Sequence, residues 1–220
     1  MPLPCIEIET APNPQHAVIW LHGLGADGHD FEPIVPELVD PHWPALRFIF
    51  PHAPVRPVTI NGSMPMRAWY DIVGMEIAQR QDERGMRESV AELEELVARE
   101  VARGVASDKI LLAGFSQGGA IALACGLRHV HKLGGVIALS TYLPMAEKTA
   151  AEAAAANRAT PIFFAHGTAD PVVPLLLGEM SRNHLQGLGY AIEWHAYPMA
   201  HQVCAAEIAD LRRFIGARLT

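Results

Sequence analysis

Short apolar runs rich in β-branched residues recur along the chain at Ala17 to Leu21, Leu46 to Phe50, Ile110 to Phe115, Val136 to Leu139, Pro161 to Ala165 and Ala191 to Tyr197. Each has the length of a strand. Most are continuously apolar and do not alternate, the pattern of strands whose two faces are both covered, as in a parallel sheet between helices. Between these runs the period changes. From Met86 to Arg103 the apolar positions Val90, Leu93, Leu96, Val97 and Val101 recur at helical spacing among glutamates and arginines, which predicts an amphipathic helix. Further helices are predicted over Phe31 to Val39, Gln117 to Arg128, Leu175 to Leu188 and Val203 to Arg218. Strand and helix alternate from end to end, so the chain reads as α/β with a mostly parallel central sheet and helices on both faces.

Two segments break the alternation. The Pro- and Gly-rich stretch from Pro51 to Gly85 is longer than a connector needs and is expected to shape a binding cleft. The stretch Met145 to Thr160 holds the alanine-rich run Thr149 to Ala156, which fits a short surface helix or a loop and receives no functional assignment. There is no internal repeat and no domain linker. A chain of 220 residues can bury roughly 70% or more of its unfolded surface in one core, so residues 1–220 are expected to form one domain.

The charge balance of 17 Lys and Arg against 24 Asp and Glu, with no basic run, argues against a nucleic-acid partner. Three cysteines, Cys5, Cys125 and Cys204, are too few and too far apart for a disulfide framework or a zinc site, and they suit a reducing compartment. The opening Met-Pro-Leu-Pro-Cys-Ile-Glu-Ile-Glu lacks the basic and apolar regions of a secretory signal. No apolar run approaches the roughly 20 residues of a transmembrane helix. A cytoplasmic location is expected.

The candidate chemistry starts at Gly114-Phe115-Ser116-Gln117-Gly118-Gly119-Ala120, a Gly-x-Ser-x-Gly set between a predicted strand and a predicted helix. A sharp turn there strains the serine backbone, and side chains two positions to either side would clash; glycine avoids both clashes. The turn lifts the Ser116 hydroxyl to the carboxyl end of the sheet, over a helix N-terminus that favours developing negative charge.

A serine hydroxyl needs a histidine to take its proton and an acid to fix that histidine's tautomer. In this arrangement the chain order is serine, acid, histidine. That leaves His129, His131, His166, His184, His195 and His201, of which only His166 and His201 sit where a predicted strand ends. His201, reached through Pro198-Met199-Ala200, is the expected base, and His166 is expected to brace its own loop. Asp170 follows the strand Pro161 to Ala165 in a loop held by Pro171 and Pro174 and is the expected acid; Glu179, Glu193, Glu207 and Asp210 fall within or beyond later elements.

Acyl transfer also needs backbone donors for a negative oxygen, worth roughly 10² to 10³ in rate each. Gln117, after the serine, supplies one. Leu24, in Leu21-His22-Gly23-Leu24-Gly25 after an early strand, supplies the other, while His22 is expected to make structural hydrogen bonds. No His-Glu-x-x-His or similar ligand cluster is present, so neither metal nor cofactor is expected.

Together these residues closely resemble the phospholipase/carboxylesterase family of α/β-hydrolases, which includes bacterial carboxylesterases and acyl-protein thioesterases. The resemblance spans nearly the whole chain and rests on Leu21-His22-Gly23-Leu24-Gly25, Trp69-Tyr70-Asp71, the Ser116 motif, His166-Gly167-Thr168-Ala169-Asp170-Pro171-Val172-Val173-Pro174 and His201-Gln202-Val203. It implies the α/β-hydrolase fold with no large cap domain, a triad of Ser116, Asp170 and His201, and oxyanion donors at Leu24 and Gln117. The implied reaction is hydrolysis of carboxylic esters through an acyl-enzyme without a cofactor, with thioesters and lysophospholipids as further substrate types. The partner is then a small ester or acylated substrate, and a homodimer is compatible with it. The family also implies an apolar acyl groove bordered by the 51–70 region and by Leu24, Met64, Trp69 and Leu175. At Ala200 the chain departs from the glycine that many relatives carry before the histidine, which adds a methyl group to that turn.

Overall fold

Every apolar run that reads as a strand is one in the computed structural model, which describes residues 3–74 and 82–219. Among these residues the chain runs β1 (Cys5–Glu9), β2 (His16–Leu21), α1 (Val35–Leu38), β3 (Leu46–Pro51), β4 (Val55–Val58), β5 (Met64–Arg67) and α2 (Glu83–Ala102). It continues with β6 (Ile110–Phe115), α3 (Gln117–Arg128), β7 (Gly135–Leu139), α4 (Ala146–Glu152), β8 (Ile162–Gly167), α5 (Leu175–Gly187), β9 (Ile192–Tyr197) and α6 (Ala205–Gly216). Seven strands form one sheet in the order β1-β3-β2-β6-β7-β8-β9, and only β1 runs antiparallel to its neighbour. β4 and β5 pair separately as an antiparallel hairpin.

The lack of alternation has a direct cause in the packing. On β2, Ala17, Ile19 and Leu21 face Leu93, Leu96 and Val97 of α2 and Ile121 of α3, while Val18 and Trp20 belong to the opposite face with Leu38 of α1 and Leu211 and Phe214 of α6. A third cluster joins Val136, Ala138, Ile162 and Phe164 to Leu185 of α5. Fully burying one such side chain contributes roughly 1.5–3 kcal/mol, so a polar residue in either register would be penalised.

Helix positions shift where proline intervenes. The helix expected over Phe31 to Val39 is reduced to a 3-10 turn, Glu32–Ile34, and the four residues of α1, because Pro33 and Pro36 remove backbone donors. α2 starts at Glu83, where the Asp82 carboxylate accepts the Gly85 N–H at 2.9 Å. The cleft-forming stretch from Pro51 carries β4, a 3-10 turn at Thr59–Asn61 and β5, and its residues 75–81 lie outside the described residues. Of the two alternatives for the run Thr149 to Ala156, each holds for part of it: α4 takes it to Glu152, and the remainder is a loop entering a 3-10 turn at Ala155–Asn157.

Parallel register sets Leu21 beside Gly114, Phe115 beside Leu139 and Gly167 beside Tyr197. The loops that leave β2, β6, β7, β8 and β9 therefore emerge at one edge of the sheet. Among the described residues no helix is long and apolar enough to cross a membrane.

Candidate active site

β6 ends at Phe115 and α3 begins at Gln117, so Ser116 alone makes the turn, at φ 54° and ψ −119°. Such a backbone costs on the order of 1–3 kcal/mol and persists only where its surroundings hold it. Here the Ser116 N–H donates to Leu139 O at 2.8 Å, and Ser116 O accepts from Thr141 Oγ1 at 2.7 Å and from the Ala120 N–H at 3.2 Å. The turn closes because Gly114 and Gly118 have no Cβ. One on Gly114 would overlap the Gly118 backbone, and one on Gly118 would stand 2.6 Å from His22 O.

Asp170 and His201 meet from separate loops. Asp170 Oδ2 accepts from His201 Nδ1 at 2.7 Å, and Asp170 Oδ1 accepts the N–H groups of Val172 and Val173 at 2.8 and 2.9 Å. A carboxylate only accepts, so the His201 ring proton sits on Nδ1 and leaves Nε2 as the free base. The two loops are sewn together by Thr168 N–H to Tyr197 O (2.8 Å) and Ala169 N–H to Met199 O (3.1 Å). The His201 ring lies against Phe115, centroids 4.7 Å apart, which seats it beside the serine turn. Ala200 is exposed and has no positive φ, so its methyl group is accommodated without strain.

His166 braces this loop as expected. Its Nε2–H donates to Val173 O at 2.8 Å while Asp170 Oδ2 stands 3.7 Å away, beyond hydrogen-bond reach. Burial lowers its pKa, so it stays neutral and does not compete for the Asp170 carboxylate.

His22 is likewise held neutral by burial. Its Nδ1–H donates to Gly23 O at 2.7 Å and its Nε2 accepts the Ala53 N–H at 3.1 Å, fixing the start of the loop that carries Leu24. Neither the Leu24 nor the Gln117 N–H makes a hydrogen bond among the described residues. Gln117 contributes more than its N–H: its Oε1 accepts the Trp69 N–H at 2.8 Å and its Nε2 donates to Tyr70 O at 2.7 Å. Nothing in the sequence pattern exposes that clamp.

Beside Ser116 lies a cavity of about 80 Å³ lined by Leu24, Tyr70, Asp71, Ile72, Gly74, Met86, Gln117, Tyr142, Val172 and Val173. Of the four residues expected around an acyl groove, Leu24 lines it, whereas Met64, Trp69 and Leu175 are not among its lining residues. Met64 opens β5 with its side chain in solvent, and Leu175 opens α5 half-buried. Trp69 is buried because its indole N–H donates to His22 O at 2.9 Å. Its backbone N–H bonds Gln117 and its side chain bonds His22, so Trp69 ties together the two segments that carry the Leu24 and Gln117 donors. Tyr142, which sequence reasoning passed over, leaves β7 at the same sheet edge as the other site residues.

A mostly parallel seven-stranded sheet with helices on both faces, no cap domain among the described residues and a strained strand-to-helix serine define the α/β-hydrolase fold. The family model described as Phospholipase/Carboxylesterase matches residues 3–219, and the chain belongs to that family and is a hydrolase. Acyl-protein thioesterase 1 of Neurospora crassa is 39% identical over 216 aligned residues, covering 92% of this chain and 86% of that protein. The protein of the same name from Cryptococcus neoformans is 36% identical over an alignment of 234 positions, gaps included, covering 98% of each chain. Among solved structures, Arabidopsis thaliana SOBER1 superposes with a TM-score of 0.88 at 30% identity, over 93% of this chain and 99% of that one. Zea mays acyl-protein thioesterase 2 gives 0.83 at 27% identity, over 98% and 99%.

Proposed function

We propose that this hydrolase is a serine carboxylesterase in which Ser116 carries the acyl group, His201 moves the proton and Asp170 orients His201. The observation that carries this reading is the 2.7 Å contact of Asp170 Oδ2 with His201 Nδ1, on a ring lying against Phe115 next to the strained Ser116. Ser116 Oγ bonds to the carbonyl carbon as His201 Nε2 takes its proton, and the carbonyl electron pair moves onto oxygen. The N–H groups of Leu24 and Gln117 receive that oxyanion. Collapse breaks the bond to the leaving oxygen, which takes the proton from His201. Water then repeats the steps, releasing the acid and restoring Ser116.

The cycle runs equally with a thioester, whose sulfur leaves in place of oxygen. The names of the relatives at 36–39% identity favour thioesters as the second substrate class. Free thiols at Cys5, Cys125 and Cys204 fit a cytoplasmic setting.

The test is a panel of chromogenic esters and acyl thioesters of graded chain length, run with a chelator on the wild type and on Ser116→Ala. Chelator-insensitive turnover that Ser116→Ala abolishes is expected. Unchanged turnover in Ser116→Ala would overturn the assignment.

A further inference from the structure

We infer that the cavity beside Ser116 selects acyl groups carrying a hydrogen-bond-accepting oxygen along the chain, through the paired hydroxyls of Tyr70 and Tyr142; the inference rests on Ser116 as nucleophile. The walls of this cavity are otherwise largely apolar, with Leu24, Ile72, Met86, Val172 and Val173 among them. Tyr70 and Tyr142 also line it, and their phenol oxygens lie 2.9 Å apart. Tyr70 is 3% exposed and Tyr142 8%. They come from different loops, one after β5 and one after β7, so chain geometry alone does not bring them together.

Whichever phenol donates, one O–H is spent inside the pair and the other is left over. Neither oxygen makes a further hydrogen bond among the described residues. A buried donor without an acceptor is costly, and an all-methylene chain packed against it leaves it so. A ketone, hydroxyl or ether oxygen at the matching position on the acyl chain satisfies it. Burial raises both phenol pKa values, that of Tyr142 to about 12, so each remains a neutral donor at physiological pH. Their chemistry is recognition and not proton abstraction.

A net neutral hydrogen bond corresponds to a preference of about three- to tenfold in kcat/KM. The experiment uses p-nitrophenyl esters in pairs of equal chain length, one all-methylene and one with an ether or keto oxygen at graded positions. Each rate is divided by that ester's hydroxide-catalysed rate, which removes the inductive effect of the added oxygen. The wild type is expected to prefer the oxygenated partner about three- to tenfold at one position, and the ratio is expected to fall to one or below in the Tyr70→Phe/Tyr142→Phe double variant, which leaves no phenol donor at the pair and whose fold is checked by circular dichroism. Equal rates at every position in the wild type overturn the inference without recourse to a variant, as does a preference that survives in the double variant. Acetyl ester turnover, and its loss in Ser116→Ala, is read in the same assay and bears only on the nucleophile, so the two failures are distinguishable.

Discussion

Replacing Asp170 by asparagine tests the site at a point where the structure dictates the outcome. Asp170 Oδ1 accepts two backbone N–H groups, from Val172 and Val173, and Oδ2 accepts from His201 Nδ1. An asparagine has only one acceptor atom to place. Turning its NH₂ toward the two N–H groups would set donor against donor twice, so its oxygen stays with Val172 and Val173 and its NH₂ faces His201. Nδ1 must then accept, the ring proton moves to Nε2, and His201 can no longer take the proton of Ser116. The same tautomer error in a serine protease lowers kcat by about 10⁴, or about 5.5 kcal/mol of transition-state stabilisation.

Stability separates this effect from simple damage. Asp170→Asn keeps both loop hydrogen bonds, so its Tm is expected within about 4 °C of wild type. Asp170→Ala loses the acceptor of both and is expected to cost about 2–3 kcal/mol, roughly 5–10 °C, with kcat also collapsed. Steady-state kcat on a short chromogenic ester, thermal melts, and the ¹⁵N resonances of the His201 ring measure the three quantities. An Asn variant that kept more than about a tenth of wild-type kcat, or that still carried the ring proton on Nδ1, would refute the reasoning.

Three further outcomes follow from other parts of the molecule. Trp69→Phe removes the indole donor to His22 O, and kcat is expected to fall about tenfold with a smaller change in KM, since the Leu24 and Gln117 segments lose their common tie; an unchanged kcat in a folded variant would show that the tie is dispensable. Glu207 is fully buried, and burial raises its pKa to about 8 from an ordinary 4.5. Between those values the native state holds a proton that the unfolded state has released, so stability falls as pH rises, by at most about 1.4 kcal/mol per pH unit. Melts of wild type and Glu207→Gln should therefore diverge between about pH 5 and pH 8 in favour of the variant, and parallel curves would exclude the effect. Glu100, fully buried at the opposite end of the sheet from Ser116, holds Arg47 at 2.6 Å and Arg103 at 3.0 Å. Glu100→Ala leaves Arg47 buried without that partner and should cost about 3–5 kcal/mol in denaturant titration, with kcat per folded molecule unaltered; a cost below about 1 kcal/mol would contradict this.

Most of the strands legible in the sequence are buried on both faces, where composition alone marks the element; β9, half-buried at the other edge, is read from its isoleucine and aromatic residues. β1 alternates Cys-Ile-Glu-Ile-Glu on the antiparallel edge, half in solvent, and so stands outside the continuously apolar runs. β4 and β5 hide for a different reason: Pro57 and Pro65 stand opposite one another in the hairpin, and a proline on each strand erases the strand signal while the pairing tolerates it. Proline likewise shortens α1. In each case a local rule was outweighed by where the segment sits, at an edge or on the surface, where the sheet demands least of it.

The residues proposed to react are legible because each follows a strand end at one sheet edge, and topology alone brings those ends together. The same rule applied to β7 reaches Tyr142. The walls of the cavity follow no such rule, since they depend on which way a loop side chain turns. Trp69 and Tyr142 are both large, amphipathic and buried, and in sequence nothing tells which of them lines the cavity. Trp69 turns inward because His22 O meets its N–H, and it thereby leaves the cavity. Among the described residues the Tyr142 hydroxyl meets only another hydroxyl, which cannot consume both protons of the pair, and Tyr142 stays at the cavity wall. The acceptor that each side chain finds, and not its hydrophobicity, separates the residue that ties the loops together from the residue that lines the cavity.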